Sequence, residues 1–214
     1  MPIHRIKKIL TTALILCLMM SAAPSNMASL DLPTRFKDVS LSRAVAVNAL
    51  AALGIVNGYP DGTFGETRDI SRAEIVALIL RLLQLEGEAK AKAGETPYSD
   101  VPSNNWASGY VNLATEMGLV EGDGNGHFLP LSNVKFEEAV KMAVIGAGYG
   151  EAAVTAGGWP DGYIKIARDM GFLSQIELEK GNLLNRGDAA QLLYQAAVSQ
   201  LNSLAASSTP KNPR

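Results

Sequence analysis

Three tetrads place charge where a helix should begin: Ser71-Arg72-Ala73-Glu74, Lys135-Phe136-Glu137-Glu138 and Asn185-Arg186-Gly187-Asp188. In the first, Ser71 as N-cap and Glu74 three residues on form a capping box, which satisfies backbone donors left open at a helix start. Arg72 has no such role. A cation in the first turn opposes the helix dipole, at a cost of about 0.3–1 kcal/mol. A residue kept against its local electrostatics is a candidate functional residue. The third tetrad repeats the pattern, with Asn185 as cap, Arg186 as the cation and Asp188 at the capping-box position. The second puts Phe136 at the arginine position and loses the Ser cap. Lys135 still brings charge there, but this tetrad reads as packing or as a poor binder.

Trp106 and Trp159 share one position relative to these tetrads, where the first copy has Ser42. Their size predicts core packing at a helix start. The alternative is an aromatic platform for a sugar ring, with the indole N–H as donor. Catalytic chemistry finds no support. Cys17 is the only cysteine, and His127 the only histidine beyond the first few residues. That leaves no triad and no thiolate or paired-histidine metal site. Asp123-Gly124-Asn125-Gly126-His127 opens like a calcium loop, but Val134 stands where the twelfth-position glutamate belongs. Glu137 and Glu138 are helix neighbours pointing apart and make a poor acid/base pair. The expectation is a binding protein, not an enzyme, with no cofactor and no metal.

The elements that position these residues come in copies. Ser42 to Gly54, Trp106 to Gly118 and Trp159 to Gly171 align on their final glycine, each followed by two apolar residues. Phe64 and Phe128 then stand at matching distances, and Arg72 and Phe136 each fall eighteen residues after the glycine. In the third copy that distance shrinks to fifteen at Arg186. Each copy reads helix, tight loop, short hairpin, helix. Ala44, Val47, Leu50 and Leu53 recur at helical spacing, and Gly54 suits a left-handed C-terminal residue. Pro60-Asp61-Gly62-Thr63 and Asp123-Gly124-Asn125-Gly126 carry turn chemistry. Each helix has one apolar stripe and needs a partner face, so the copies should share a core. The simplest closed solution is a mainly α bundle with the three copies around a pseudo-threefold axis.

Residues 86–97 and 146–158 are small, polar or glycine-rich and read as linkers. The tail 205–214 has too little apolar content to order itself. At the N-terminus, Arg5, Lys7 and Lys8 precede a short apolar run from Ile9 to Met20. This is the layout of a secretory leader over residues 1–28, cut between 22 and 28, and the run is too short for a membrane span. Leu16 before Cys17 argues against lipidation. Removing the leader takes three basic residues and no acidic one, so the exported chain is more acidic than the formal −2 of the full sequence. A nucleic-acid partner, which needs a basic face, is not expected.

Phe36-Lys37-Asp38-Val39, Gly54 to Phe64 and Ile70-Ser71-Arg72-Ala73-Glu74 together resemble one S-layer homology repeat. Tyr98-Ser99-Asp100-Val101 with Asn105-Trp106-Ala107 and Gly126 to Pro130 resembles a second. The third is divergent: it keeps Trp159, Gly171 and Asn185 to Asp188 but lacks the opening aromatic-x-Asp-Val. The resemblance implies repeats at 29–85, 98–148 and 149–204. It also implies a groove between neighbouring repeats, where the helix-start arginine meets a pyruvylated cell-wall polysaccharide. The binding set carried over is Arg72, Ser71, Glu74, Asp38, Gly58, Trp106, Arg186 and Asp188, with Arg186 weakened by its shortened loop. The expected protein is secreted, associated with the cell envelope, and anchored without a covalent bond. Such repeats usually carry a larger passenger, and these 214 residues leave no room for one. The rival reading is therefore a structural or adaptor module whose partner is an envelope protein rather than a glycan.

Overall fold

The structure is a computed structural model that describes residues 35–208. The leader, its cut site, Cys17 and residues 209–214 lie outside the described residues. Among those described there are eight helices and no sheet: α1 Leu41–Ala52, α2 Arg72–Leu82, α3 Glu86–Ala91, α4 Ser108–Glu116, α5 Phe136–Gly146, α6 Gly150–Thr155, α7 Asp161–Asp169 and α8 Arg186–Ser208. The fold is mainly α, as the sequence predicts.

The three aligned glycines do the same job. Gly54, Gly118 and Gly171 have φ of 71°, 67° and 76°, a left-handed conformation that glycine adopts without a Cβ penalty. Each closes a Schellman motif, in which the next residue's N–H returns five residues to the helix: Ile55 to Leu50 (2.9 Å), Leu119 to Ala114 (2.9 Å) and Phe172 to Ala167 (2.8 Å). The reversal drives Ile55-Val56, Leu119-Val120 and Phe172 into the core. Phe64 and Phe128 follow them in and are almost fully buried. The expected hairpins are tight turns, closed by single backbone bonds such as Tyr59 N–H to Thr63 O (2.7 Å) and Asp123 N–H to His127 O (2.9 Å).

The segments interlock. Ile70 N–H donates to Leu184 O (3.0 Å), Leu184 N–H to Val134 O (2.9 Å), and Val134 N–H to Ile70 O (3.0 Å), closing a ring of three. From this ring α2, α5 and α8 run together and pack pairwise. Each first helix lies on the second helix of another segment: α1 on α8, α4 on α2, and α7 on α5. A segment's apolar stripe is therefore covered by its neighbours, and the buried residues form one continuous cluster.

The stretches read as linkers are partly helical. The reason is close packing: a Cβ on Gly109 of α4 would lie 2.0 Å from Ala89 O of α3, and one on Gly162 of α7 2.2 Å from Ala153 O of α6. Helices of six residues show no usable periodicity and exist because a neighbour holds them. The last helix runs to Ser208, past the point where the sequence predicts disorder to begin. Neither tryptophan is a core residue: Trp106 is 57% exposed and Trp159 52%. Their neighbours Ala107 and Tyr110, and Tyr163, take the buried places instead.

Candidate functional site

Helix α2 starts as its sequence dictates. Ser71 Oγ accepts from Glu74 N–H (3.3 Å), and Glu74 Oε2 accepts from Ser71 N–H (2.9 Å). Arg72 N–H is met by Ser132 O of the next segment (2.9 Å). With the backbone so fixed, the Arg72 side chain leaves its own helix. Its Nη2 donates to Glu121 O (2.7 Å), its Nη1 faces Glu138 Oε1 (3.3 Å), and its guanidinium lies over the Phe128 ring at 5.1 Å. The helix-start charge thus meets a carboxylate and a π face on the following segment, which offset its unfavourable place on the dipole.

Arg72 lines a groove of about 380 Å³ together with Glu121, Gly122, Glu138, Lys141, Met142 and Trp159. Lys141 Nζ stands 5.7 Å from the Trp159 ring centre and 3.9 Å from Glu121 Oε2. Two cations and two carboxylates balance in the groove walls. The volume falls in the range of small-ligand sites, about 300–1,000 Å³. Of the residues expected to bind, this groove gathers only Arg72. Gly58 and Trp106 are replaced here by their counterparts Gly122 and Trp159, because the groove is built from different segments. Glu121, Glu138 and Lys141 were not foreseen; the first two occupy the repeat positions of Asn57 and Glu74, which alignment alone does not mark as facing an arginine.

Arg186 repeats the arrangement against the first segment. Its Nε donates to Phe64 O (3.0 Å) and its Nη2 to Asn57 O (3.1 Å), with Nη1 3.9 Å from Glu74 Oε1. Its guanidinium lies 4.9 Å from the Phe64 ring and 5.3 Å from Tyr59. Glu74 and Glu138 each divide their two oxygens between a helix cap and an arginine from another segment. At the second tetrad Phe136 is buried. Lysine has no acceptor, so only the Glu138 half of a capping box stands there, with Oε2 accepting from Lys135 N–H (2.9 Å). Asp188 differs from the expected capping box. Its N–H is capped by Asn185 Oδ1 (2.8 Å), but its carboxylate pairs with Arg43 of α1.

Asp38 and Gly58 shape the loop. The Asp38 carboxylate accepts from Phe64 N–H (2.6 Å), Gly65 N–H (2.7 Å) and Glu66 N–H (3.3 Å). Desolvation pushes its pKa up, but these N–H bonds outweigh it and hold the carboxyl below the ordinary value. In the second segment the Asp100 carboxylate likewise accepts from Phe128 and Leu129 N–H (2.8 Å each). A Cβ on Gly58 would fall 2.2 Å from the Phe36 ring and 2.7 Å from Thr63 O, so only glycine fits. In the turn at Asp123, the N–H groups of Asn125 and His127 lower the carboxyl to about 2. Among the described residues no cluster of His, Cys, Asp or Glu could hold a metal ion, and no helix is long and apolar enough to cross a membrane.

The S-layer homology domain model matches residues 35–76 and 97–140. The chain is 33% identical over 192 residues to a "cell surface protein" of Thermoanaerobacter kivui, covering 89% of this chain and 24% of that protein. It is 37% identical over 169 residues to a "surface layer protein" of Brevibacillus choshinensis, with 78% and 15% covered. It is 33% identical over 193 residues to a "middle cell wall protein" of Brevibacillus brevis, with 89% and 18% covered. The chain spans at most about a quarter of these relatives' length. The two matches fall on the segments whose loops Asp38 and Asp100 tie: the chain is similar to the S-layer homology domain over those residues, and this likeness with that to the surface proteins places it at the cell envelope.

Proposed function

We propose that the chain anchors non-covalently to the cell wall by binding an acidic wall polysaccharide in its inter-segment grooves. The observation that carries this reading is Arg72: a guanidinium buried to 16% side-chain exposure, fixed by a carbonyl and a ring, beside a half-exposed tryptophan in an open groove. A pre-positioned guanidinium recognises an acidic sugar substituent such as a pyruvate ketal with little entropy cost, and an exposed indole offers a face for the ring. Residues 149–204 are a divergent third repeat in this reading. The Gly171 turn, the Arg186 bonds and the closed backbone ring at Ile70, Val134 and Leu184 support it, as does the pseudo-threefold arrangement those bonds suit. The test is co-sedimentation with purified wall sacculi before and after chemical removal of the secondary polymer. Binding should be lost with the polymer. Equal binding to stripped sacculi overturns the reading.

A further inference from the structure

Lys141 carries a charge that the fold does not use. It stands five residues past the first residue of α5, where the corresponding places on α2 and α8 hold Ala77 and Gln191. Packing of the three second helices therefore needs no cation there. Even so, the Lys141 side chain is only 26% exposed. That is less than for any other lysine in an ion pair among the described residues.

Among the described residues its ammonium makes no hydrogen bond. Its ion pair with Glu121 Oε2 spans 3.9 Å, beyond hydrogen-bonding distance, whereas the other lysine pairs measure 2.5–3.3 Å. The Trp159 ring centre lies 5.7 Å from Nζ, and a π face steers a cation while leaving its three N–H donors without an acceptor. Glu121 competes weakly for them: its side chain is 80% exposed, and water screens such a pair. A sheltered ammonium with open donors is incomplete without an acceptor. The groove that it lines with Arg72, of about 380 Å³, has room for one.

We propose that Lys141 is a second ligand-facing charge, which receives a carboxylate of the bound saccharide and makes the Arg72 groove the principal binding site of this chain. The ligand class that fits is a saccharide with an isolated carboxylate. Glu121 and Glu138 also line the groove, and they repel a densely anionic polymer. At the Arg186 junction the neighbouring helix is α2, with Ala77 in this place, so the second charge is missing. The proposal rests on the reading of the groove as an acidic-polysaccharide site.

The test follows the Trp159 indole N–H resonance of the ¹⁵N-labelled protein during titration with a methyl glycoside bearing a pyruvate ketal. The uncharged methyl ester of the same compound is the control. Wild type should bind the acid more tightly than the ester. In Lys141→Gln, affinity for the acid should fall about tenfold or more, as for a lost charge-assisted bond, while affinity for the ester holds. Lys141→Arg should keep the preference for the acid. Glu121→Gln removes the competing carboxylate, leaves the carbonyl that Arg72 uses, and should bind the acid more tightly. The proposal is overturned by unchanged acid binding in Lys141→Gln, by an equal loss for acid and ester, or by weaker acid binding in Glu121→Gln. Wild type gives a second measurement: added acid should slow reductive methylation of Lys141 but not of Lys165, and an unprotected Lys141 sinks the idea. Arg72→Ala separates the two claims. If it loses the preference for acid while Lys141→Gln keeps it, the groove reading stands and the proposal falls. If Lys141→Gln loses the preference and Arg72→Ala keeps it, Lys141 stands and the role given to Arg72 falls. A wild type without any preference overturns both.

Discussion

Arg72 and Asp38 are both charged groups held by backbone, but one lines a groove between segments and the other spends its charge inside the loop. For Arg72→Ala, wall binding should weaken by about 1.5–3 kcal/mol, the range for a charge-assisted hydrogen bond, measured by sedimentation with sacculi. The helix dipole alone predicts that this change leaves stability untouched or slightly raised. The bond to Glu121 O and the pair with Glu138 reverse that, and a loss of about 1 kcal/mol is expected. Arg186→Ala removes two carbonyl bonds and should lower the melting temperature further than Arg72→Ala. Asp38→Asn leaves one acceptor oxygen for three N–H groups. It should cost about 1.5–3 kcal/mol, seen in thermal or urea unfolding. The pH dependence follows from the depressed carboxyl. The unfolded chain takes up this proton near 3.8, before the folded one does, so the stabilisation is complete above that value and lost as pH falls through the lower folded value. In Asp38→Asn that part of the acid limb should vanish. An unchanged limb would mean that the loop is held by something other than this carboxylate.

At the scale of elements, the short helices α3 and α6 exist because α4 and α7 each present a glycine to them. Gly109→Ala would drive a Cβ into Ala89 O and the Ala93 backbone nitrogen, both main chain and unable to swing aside. The expected cost is about 1–3 kcal/mol, typical of overpacking. Gly87 within α3 has open space around its Cβ position, and Gly87→Ala should instead stabilise by about 0.5–1 kcal/mol through reduced backbone freedom. Denaturant midpoints of the two variants should therefore move in opposite directions. If both destabilise, α3 is held by a contact other than this glycine crossing.

At the scale of the molecule, no segment covers its own core. The first helix of each lies on the second helix of another, and the ring at Ile70, Val134 and Leu184 needs all three. A fragment of residues 29–90 lacks the neighbours that bury Ile75, Val76 and Ile79 and should show little helix by circular dichroism, or self-associate. The whole chain should unfold in one cooperative transition. A monomeric, cooperatively melting fragment would show that the segments are independent domains.

The period was legible because it rests on backbone requirements that only certain residues meet. Gly54, Gly118 and Gly171 must accept positive φ, Ser71 and Glu74 must cap a helix, and both signals survive in a linear string. The same string marked Arg72 by its conflict with the helix dipole. What it could not show is which segment each side chain faces. Trp106 and Trp159 look like core residues by size, yet both project to the surface. Asp38 and Gly58 look like groove residues by resemblance, yet they tie and shape a loop. Arg72 bonds to Glu121 and Glu138 of the next segment and shares a groove with Trp159 of the third, and Asp188 is claimed by Arg43 more than a hundred positions away. Local rules fix where a helix starts, stops and turns its apolar stripe, because those energies arise within a few residues. The grooves arise where chain segments remote in sequence pack together, and that geometry belongs to the tertiary structure alone.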